Sequence, residues 1–362
     1  MRTRIAIVYN KPCPSRYDAT GETKAVVDVL QSVDAVYQAL LELGYYAVRV
    51  PLSPPVERVR RDLNSLDVDL VFNLFEGFCG YPETEVLVPE TLEEMWIACT
   101  GCHGSVLKLT IDKAKVKAMM KAAGIPTPDF QVLNPRIMHM FQLKYPCIVK
   151  PRGEHASHGV SERSVVNNFT SLEKQVKAVS ETYGGSALVE EFIDGREFSI
   201  TVLGNSSESV LPVSEIIYSL PPGIPRILTF AAKWEADSPY FHGTGVVCPA
   251  EITAGERECF SGLAQAAFRF LGCRGYARID LRVDEAGQIK VIEINPNPDI
   301  SPGSGAVRQA AAAGMTYNQF IEKIVKLALE DGYYEKRGSP YVSKRQTGPD
   351  GDTAAHTRIQ TA

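Results

Sequence analysis

Tyr276-Ala-Arg-Ile-Asp-Leu-Arg-Val-Asp-Glu-Ala-Gly-Gln-Ile-Lys-Val-Ile-Glu-Ile-Asn-Pro296 reads as two strands joined by a short turn at Asp284 to Gly287. The two-residue period of extended chain puts Arg278, Asp280 and Arg282 on one face and Ala277, Ile279, Leu281 and Val283 on the other. A polar face thus opposes a core face. In the returning strand Glu293 and Asn295 share a face, and the turn brings Asp280 opposite or diagonal to Glu293, within roughly 5 to 8 Å. Two carboxylates that close repel unless a cation lies between them. Asp280, Glu293 and Asn295 are hard oxygen donors, a set that suits Mg²⁺ or Mn²⁺ better than zinc. Arg278, one pleat away, stands where it can neutralise a developing oxyanion. An Arg-Asp-Glu ion-pair ladder on a solvated sheet face satisfies the same pattern, and the hairpin alone does not separate the two readings.

The hairpin lies in a stretch, 208–335, that also holds a helix with capping residues Thr253 and Glu256 and a stop at Gly272, and ends in helices near Ala306 to Ala313 and Thr316 to Glu330. Residues 106–207 read as an α+β unit. Asp112 caps a helix through Ala123 that Gly124 ends, and a strand from Tyr145 to Lys150 runs into a loop of small and polar residues up to Val160. Thr170 to Glu173 then reads as a capping box, and Asp194-Gly195 between the strands Ser186 to Ile193 and Arg196 to Leu203 as a two-residue hairpin turn. In residues 1–105, strands at Arg4 to Tyr9, Tyr46 to Val50 and Val68 to Phe75 alternate with a helix marked by Val26, Val29, Val33, Tyr37 and Leu40. That pattern predicts an open parallel α/β sheet, so the fold class is α/β followed by α+β. The tail, 336–362, carries Gly338, Pro340, Gly348 and Pro349, buries little, and is expected to be disordered.

At 362 residues the chain has room for two or three domains. The balance of 38 Lys plus Arg against 43 Asp plus Glu leaves no broad basic face, which argues against nucleic acid as a partner. Apolar runs are strand-sized and no secretory signal opens the chain, so neither a membrane partner nor export is expected, and the cytoplasm is the expected compartment. Cys99-Thr-Gly-Cys-His103 matches the pattern of covalent haem attachment, a modification made outside the cytoplasm. No second Cys pair completes four metal ligands, so packed, reduced thiols are the expectation for the eight cysteines.

Lys150 ends an apolar strand and precedes Pro151 and a loop with Gly153, Ala156, Ser157 and Gly159. Small residues there let backbone amides approach phosphate oxygens, with the lysine as a point charge. A solvated Lys-Pro turn reads the same. Neither a Walker motif nor a G-x-G-x-x-G run occurs. His155 and His158 read as polar loop groups within reach of phosphate.

Six segments together carry a resemblance: Thr110-Ile-Asp-Lys-Ala-Lys-Val-Lys117, Gly124-Ile-Pro-Thr-Pro128, Pro146-Cys-Ile-Val-Lys-Pro151, Val189-Glu-Glu-Phe-Ile-Asp-Gly-Arg-Glu-Phe198, Ala277-Arg-Ile-Asp280 and Glu293-Ile-Asn-Pro296. In order and spacing, from about 68 to 330, they resemble the ATP-grasp superfamily, and within it D-alanine:D-alanine ligases and relatives of unassigned substrate. The resemblance implies an ATP-grasp fold of two lobes behind an N-terminal pre-ATP-grasp domain. It makes the hairpin a Mg²⁺ (or Mn²⁺) site held by Asp280, Glu293 and Asn295. By the same resemblance Lys113, Lys150 and Lys233 neutralise ATP phosphates, and the loop with Ser157 and Gly159 closes over them. Glu190 takes the adenine amino group, backbone groups at Glu191 and Ile193 complete the adenine edge, and Glu197 holds the ribose. Arg278 holds the tetrahedral oxyanion. Ligases of this kind are often homodimers.

The implied chemistry follows from the substrate. A carboxylate is a poor acyl donor, so it first takes the γ-phosphoryl group of ATP to become an acyl phosphate, which an amine then attacks. Water must be excluded, and a closing loop meets that need. The substrate half departs from the family. No glutamate in Asn10 to Gly21 matches the one that holds the first ammonium, and Glu22 or Asp28 are the nearest substitutes. Ala156-Ser157 replaces a serine pair, and Trp234 a tyrosine. Asp299 places a carboxylate near the second substrate's expected carboxylate, so that substrate is differently charged or Ser304 and the helix N-terminus after it compensate. Glu76 and Glu85 offer an amine site, or are loop and helix-start carboxylates. The reading is an ATP- and Mg²⁺-dependent carboxylate-amine ligase acting on small, amino-acid-like substrates. The alternatives are an authentic D-alanine:D-alanine ligase of peptidoglycan synthesis, or a nucleotide-binding protein without ligation.

Overall fold

The computed structural model describes residues 2–20 and 29–331, so Glu22, Asp28 and the tail 336–362 lie outside the described residues. Strand β1 (Arg4–Asn10) leads to α1 (Val29–Glu42), β2 (Tyr46–Leu52), α2 (Val56–Asn64), β3 (Leu70–Leu74), α3 (Leu87–Glu94) and β4 (Ala98–Cys99). The four strands form a parallel sheet in the order β2-β1-β3-β4. The middle of β1, Ile5 to Val8, is an unbroken apolar run because both faces are covered. Ile5 and Ile7 pack with Val33, Val36 and Leu40 of α1, whereas Ala6 and Val8 pack with Val59, Leu63, Val88 and Leu92 of α2 and α3.

Next come α4 (Gly104–Ile111), α5 (Lys113–Ala122), β5 (Phe130–Leu133), β6 (Cys147–Pro151), β7 (Val165–Val166), α6 (Phe169–Tyr183) and β8 (Ala187–Glu191). Asp112 caps α5 as expected, accepting from the Lys115 N–H, and Gly124 takes the left-handed φ of +74° that stops it. The expected capping box at Thr170 lies two residues too late. Asn168 is the cap, exchanging hydrogen bonds with Ser171, because its short side chain reaches back to the N–H three residues on.

The rest of the chain is β9 (Arg196–Gly204), β10 (Glu208–Val210), β11 (Ser214–Tyr218), α7 (Phe230–Trp234), α8 (Pro239–Gly243), β12 (Thr244–Val247), α9 (Ala254–Phe270), β13 (Gly275–Val283), β14 (Ile289–Asn295), α10 (Gly305–Ala312) and α11 (Tyr317–Leu329). The expected hairpin at Asp194-Gly195 does not form. β8 joins a four-stranded antiparallel sheet ordered β5-β8-β6-β7, while β9 enters a six-stranded sheet ordered β12-β11-β9-β13-β14 with β10 on its side. The dipeptide is a crossing between sheets. Gly195 is required there because a Cβ would stand 1.7 Å from the Val283 carbonyl oxygen, and no side chain fits.

In the six-stranded sheet Ala277, Ile279 and Leu281 are fully buried against Phe260, Ala264, Ala267 and Phe268 of α9, as alternation predicts. Of the two expected placements, opposite or diagonal, the register gives Asp280 directly opposite Glu293, and it sets Arg278 opposite Asn295. It also holds a β-bulge that alternation does not reveal. Leu281 pairs with Val291, so Ile292 is an extra residue, and Ile292 and Glu293 both line the cleft while Val291 and Ile294 enter the core.

Candidate active site

The cleft is walled by β6, the loop 152–160, α7 and the β13-β14 hairpin. Lys113, Lys150, Ser157, Glu197, Lys233, Arg278, Asp280 and Glu293 line one cavity of about 110 Å³, closed by Ile148, Ile227, Leu228 and Ile292. Eight side chains singled out in the sequence therefore converge from six helices and strands and one loop.

Arg278 grips Asp280 with a two-pronged fork, at 2.8 and 2.9 Å. The ion pair of the ladder reading is thus present, but the face is not solvated: Arg278 and Asp280 are 23% and 13% exposed. Burial, with Glu293 and Glu197 nearby, pushes the Asp280 carboxyl above its ordinary value despite the arginine. Burial would do the same to Glu293, but Lys113, His155, Lys150 and Arg278 outweigh it and hold that carboxyl at about 2. Lys113 lies 3.5 Å from Glu293, and Lys233 is pushed below its usual value by burial and by Arg278. Such crowding of cations suits a polyanion.

Lys117 is a residue the sequence reading left without a role. Its ammonium, 2% exposed, lies 2.8 Å from Glu190, whose other oxygen is 2.8 Å from Lys150. Burial alone would raise the Glu190 carboxyl, and the two ammonium groups pull it below its ordinary value. Glu190 therefore sits beneath Lys150 rather than lining the cavity. Lys117 also meets the Thr127 hydroxyl, which donates to the Val291 carbonyl at 2.8 Å, tying α5 to the hairpin.

Arg282 is the second such residue. It donates to the Ile193 and Arg226 carbonyls and to Glu197 Oε2, which also accepts the Tyr218 hydroxyl at 2.7 Å. Every one of these Glu197 bonds falls on Oε2, leaving Oε1 for a ligand. The loop 152–160 is anchored at its start by Arg152, bidentate on Asp112, and the Glu154 carbonyl accepts from Lys113. Ala156 and Ser157 adopt φ of +53° and +63°, a left-handed conformation that costs non-glycine residues about 1–2 kcal/mol each.

Residues 119–326 match the family model described as D-ala D-ala ligase C-terminus. The chain belongs to the D-alanine–D-alanine ligase family. Its sequence is 31% identical over 319 residues to the D-alanine–D-alanine ligase of Haemophilus influenzae, covering 85% of this chain and 99% of that protein. It is 37% identical over 260 residues to the uncharacterized protein y4sG of Sinorhizobium fredii, covering 72% of this chain and 74% of that one. Among solved structures, the D-alanine–D-alanine ligase of Bacillus anthracis superposes with a TM-score of 0.70 at 22% identity, over 93% of this chain and 100% of that one. A second structure of that ligase, complexed with ATP, gives 0.69. The VanG D-Ala:D-Ser ligase of Enterococcus faecalis gives 0.70 at 20% identity, over 91% of this chain and 100% of that one. The fold is the ATP-grasp fold of this family, and the chain is an ATP-dependent, D-Ala ligase-like enzyme.

The remaining residues expected at the ligase site are more dispersed. Asn295 faces Arg278 across the hairpin, and its side-chain oxygen accepts the Asn297 N–H. Glu191 pairs with Lys290 at 2.8 Å, and Ile193 is buried. Gly159 lines a neighbouring surface cleft, and Trp234 ends α7 beside Phe230. Glu76 is exposed, its N–H donating to Asn10. Asp299 holds the Ser32 and Ser301 hydroxyls, and the buried Ser304 hydroxyl oxygen at the start of α10 has no hydrogen-bond partner among the described residues. Cys99 and Cys102 are buried, with Cys102 donating to the Arg274 carbonyl, while Cys259 is exposed, contrary to the packed expectation. Among the described residues no helix is long and apolar enough to cross a membrane.

Glu85 accepts from the Asn297 amide at 3.0 Å, and burial pushes its carboxyl from 4.5 up to about 7. Because the folded state holds this proton where the unfolded chain has lost it, stability is fully present below about 4.5 and is lost as pH rises through about 7. Glu85→Gln is expected to remove that decline. Urea midpoints of the two proteins between pH 4.5 and 7.5 should diverge, with the variant gaining as pH rises; parallel curves would remove the assignment.

Proposed function

We propose that the enzyme joins a small carboxylic acid of the amino-acid class to an amine through an acyl phosphate, with the converging cationic and acidic side chains as its catalytic centre. The observation that carries this reading is the meeting of Lys113, Lys150, Lys233 and Arg278 with Asp280 and Glu293 on one cavity. Asp280, Glu293 and Asn295 supply hard oxygens to one face, and Asp280 is held above its ordinary value with no added positive charge, so a divalent cation fits. Mg²⁺ or Mn²⁺ held there would draw charge from the phosphates of ATP.

The chain's own groups divide the remaining work. Lys113, Lys150 and Lys233 hold the phosphates, and Glu190 fixes Lys150 from beneath. Glu197 Oε1 faces the ribose, and backbone groups at Glu191 and Ile193 border the adenine. Arg278 meets the negative charge that grows on the acyl oxygen when the amine attacks. The loop with Ser157 and Gly159 covers the reaction. Ser304, whose buried hydroxyl at a helix start meets no partner among the described residues, suits a substrate carboxylate. Strand pairing favours dividing the two lobes at the Asp194-Gly195 crossing rather than at 207, behind an N-terminal domain of 1–105.

The names of the relatives favour D-alanine as both acid and amine. ADP release by the full chain with ATP and Mg²⁺ should be measured across a panel of D- and L-amino acids. Dependence on D-alanine alone selects D-alanyl-D-alanine synthesis, and another acceptor selects a broader ligase. Nucleotide binding without turnover for any pair overturns the proposal.

A further inference from the structure

The loop over the cleft is held from outside by a segment that touches none of the reacting groups. Glu154, buried at 7% exposure, accepts the Tyr17 hydroxyl on Oε2 at 2.5 Å and the Arg16 guanidinium on Oε1. The Tyr17 ring lies flat on His158, with centroids 3.8 Å apart and planes 2° from parallel. His158 in turn meets Phe230 at 5.4 Å, at the start of the helix that carries Lys233. Arg16 stands over the Tyr81 ring at 5.0 Å, and its N–H donates to the Cys79 carbonyl. Gly80 packs so closely on this segment that a Cβ would lie 2.7 Å from Ser15 and 2.8 Å from Tyr17.

We propose that Arg16 and Tyr17 are positioning residues that clamp the loop 153–159 over the nucleotide, a role that rests on the nucleotide site proposed above. Three observations point the same way. The loop carries two non-glycine residues at positive φ, a conformation that persists only where the surroundings impose it, and the Glu154 and His158 contacts bracket them. The cavity of about 110 Å³ is far below the roughly 300–1,000 Å³ of ordinary small-molecule sites, so the loop lifts to admit a nucleotide and is drawn down again. Through His158 and Phe230 the clamp also reaches the helix bearing Lys233, so loop and lysine close together. Neither Arg16 nor Tyr17 lines the cavity, so their effect passes through Glu154 and His158.

Hydrogen exchange on the full chain without nucleotide tests the clamp directly. Tyr17→Phe keeps the ring stack and removes only the hydroxyl, and Glu154→Gln keeps the shape and removes the charge. Both should speed exchange of the 153–160 amides on the order of tenfold, the effect of losing one charge-assisted hydrogen bond, while β13 stays protected. With ATP, Mg²⁺ and an active substrate pair, both should also release more ADP per bond formed, because a loosened loop admits water to the acyl phosphate. Unchanged loop exchange in both variants overturns the clamp. Failure of the underlying reading looks different: added ATP and Mg²⁺ then alter no exchange rate in the unsubstituted protein.

Discussion

Glu293→Gln is expected to lower ligase turnover by about three orders of magnitude, and Asp280→Asn by a similar factor, while both proteins remain folded. The expectation follows from the balance of charge in the cleft. Lys113, His155, Lys150 and Arg278 all face Glu293, and they hold it ionised down to about pH 2. As an amide, it leaves those cations without their shared counter-charge and takes one anionic oxygen from the proposed cation site. Asp280 positions the Arg278 fork as well as contributing oxygens, so Asp280→Asn removes two functions at once. Turnover, and the dependence of ATP binding on Mg²⁺ concentration, measure both. Turnover within tenfold of the unsubstituted protein would exclude the carboxylates from the chemistry.

Arg282→Ala carries the largest expected effect on stability. The guanidinium is buried with Glu197 and donates to two backbone carbonyls, at Ile193 and Arg226. Its removal leaves a carboxylate in the interior with the Tyr218 hydroxyl as its remaining donor among those described and two carbonyls short of a partner. Breaking a buried pair in this way costs about 3–5 kcal/mol. Arg282→Lys retains the charge without the planar fork and should recover only part of the loss. Denaturant midpoints of the three proteins should fall in the order arginine, lysine, alanine. Nucleotide affinity should drop with them, because the same fork sets the wall from Ile193 to Glu197. A midpoint unchanged in the alanine variant would show that the fork holds nothing.

What is legible in the sequence is what depends on period and local pattern. Alternation along Tyr276 to Val283 gave the core face and the Asp280–Glu293 pairing, because both follow from extended geometry. Caps at Asp112 and Thr253 were readable because a short polar side chain before an apolar repeat has one economical use. Asp194-Gly195 misled because the same dipeptide serves a hairpin and a crossing, and only the approach of Val283 from a distant strand decides between them. Arg282 was visible on the polar face, but its partners come from 193, 197 and 226, and no local pattern reports them. The same holds for Lys117 under Lys150, and for Tyr17 and Glu154, which are 137 positions apart.

The extra residue at Ile292 gives the cleft an aliphatic wall that a regular strand would not supply. Without it, Glu293 would follow Val291 directly, and the two-residue alternation would still send the valine to the core and the acid to the cleft; what the bulge adds is Ile292 as a second side chain on the cleft face. Shortening the ribbon by one residue at 292 would therefore regularise the strand and strip the cleft of an aliphatic wall while leaving Glu293 in place.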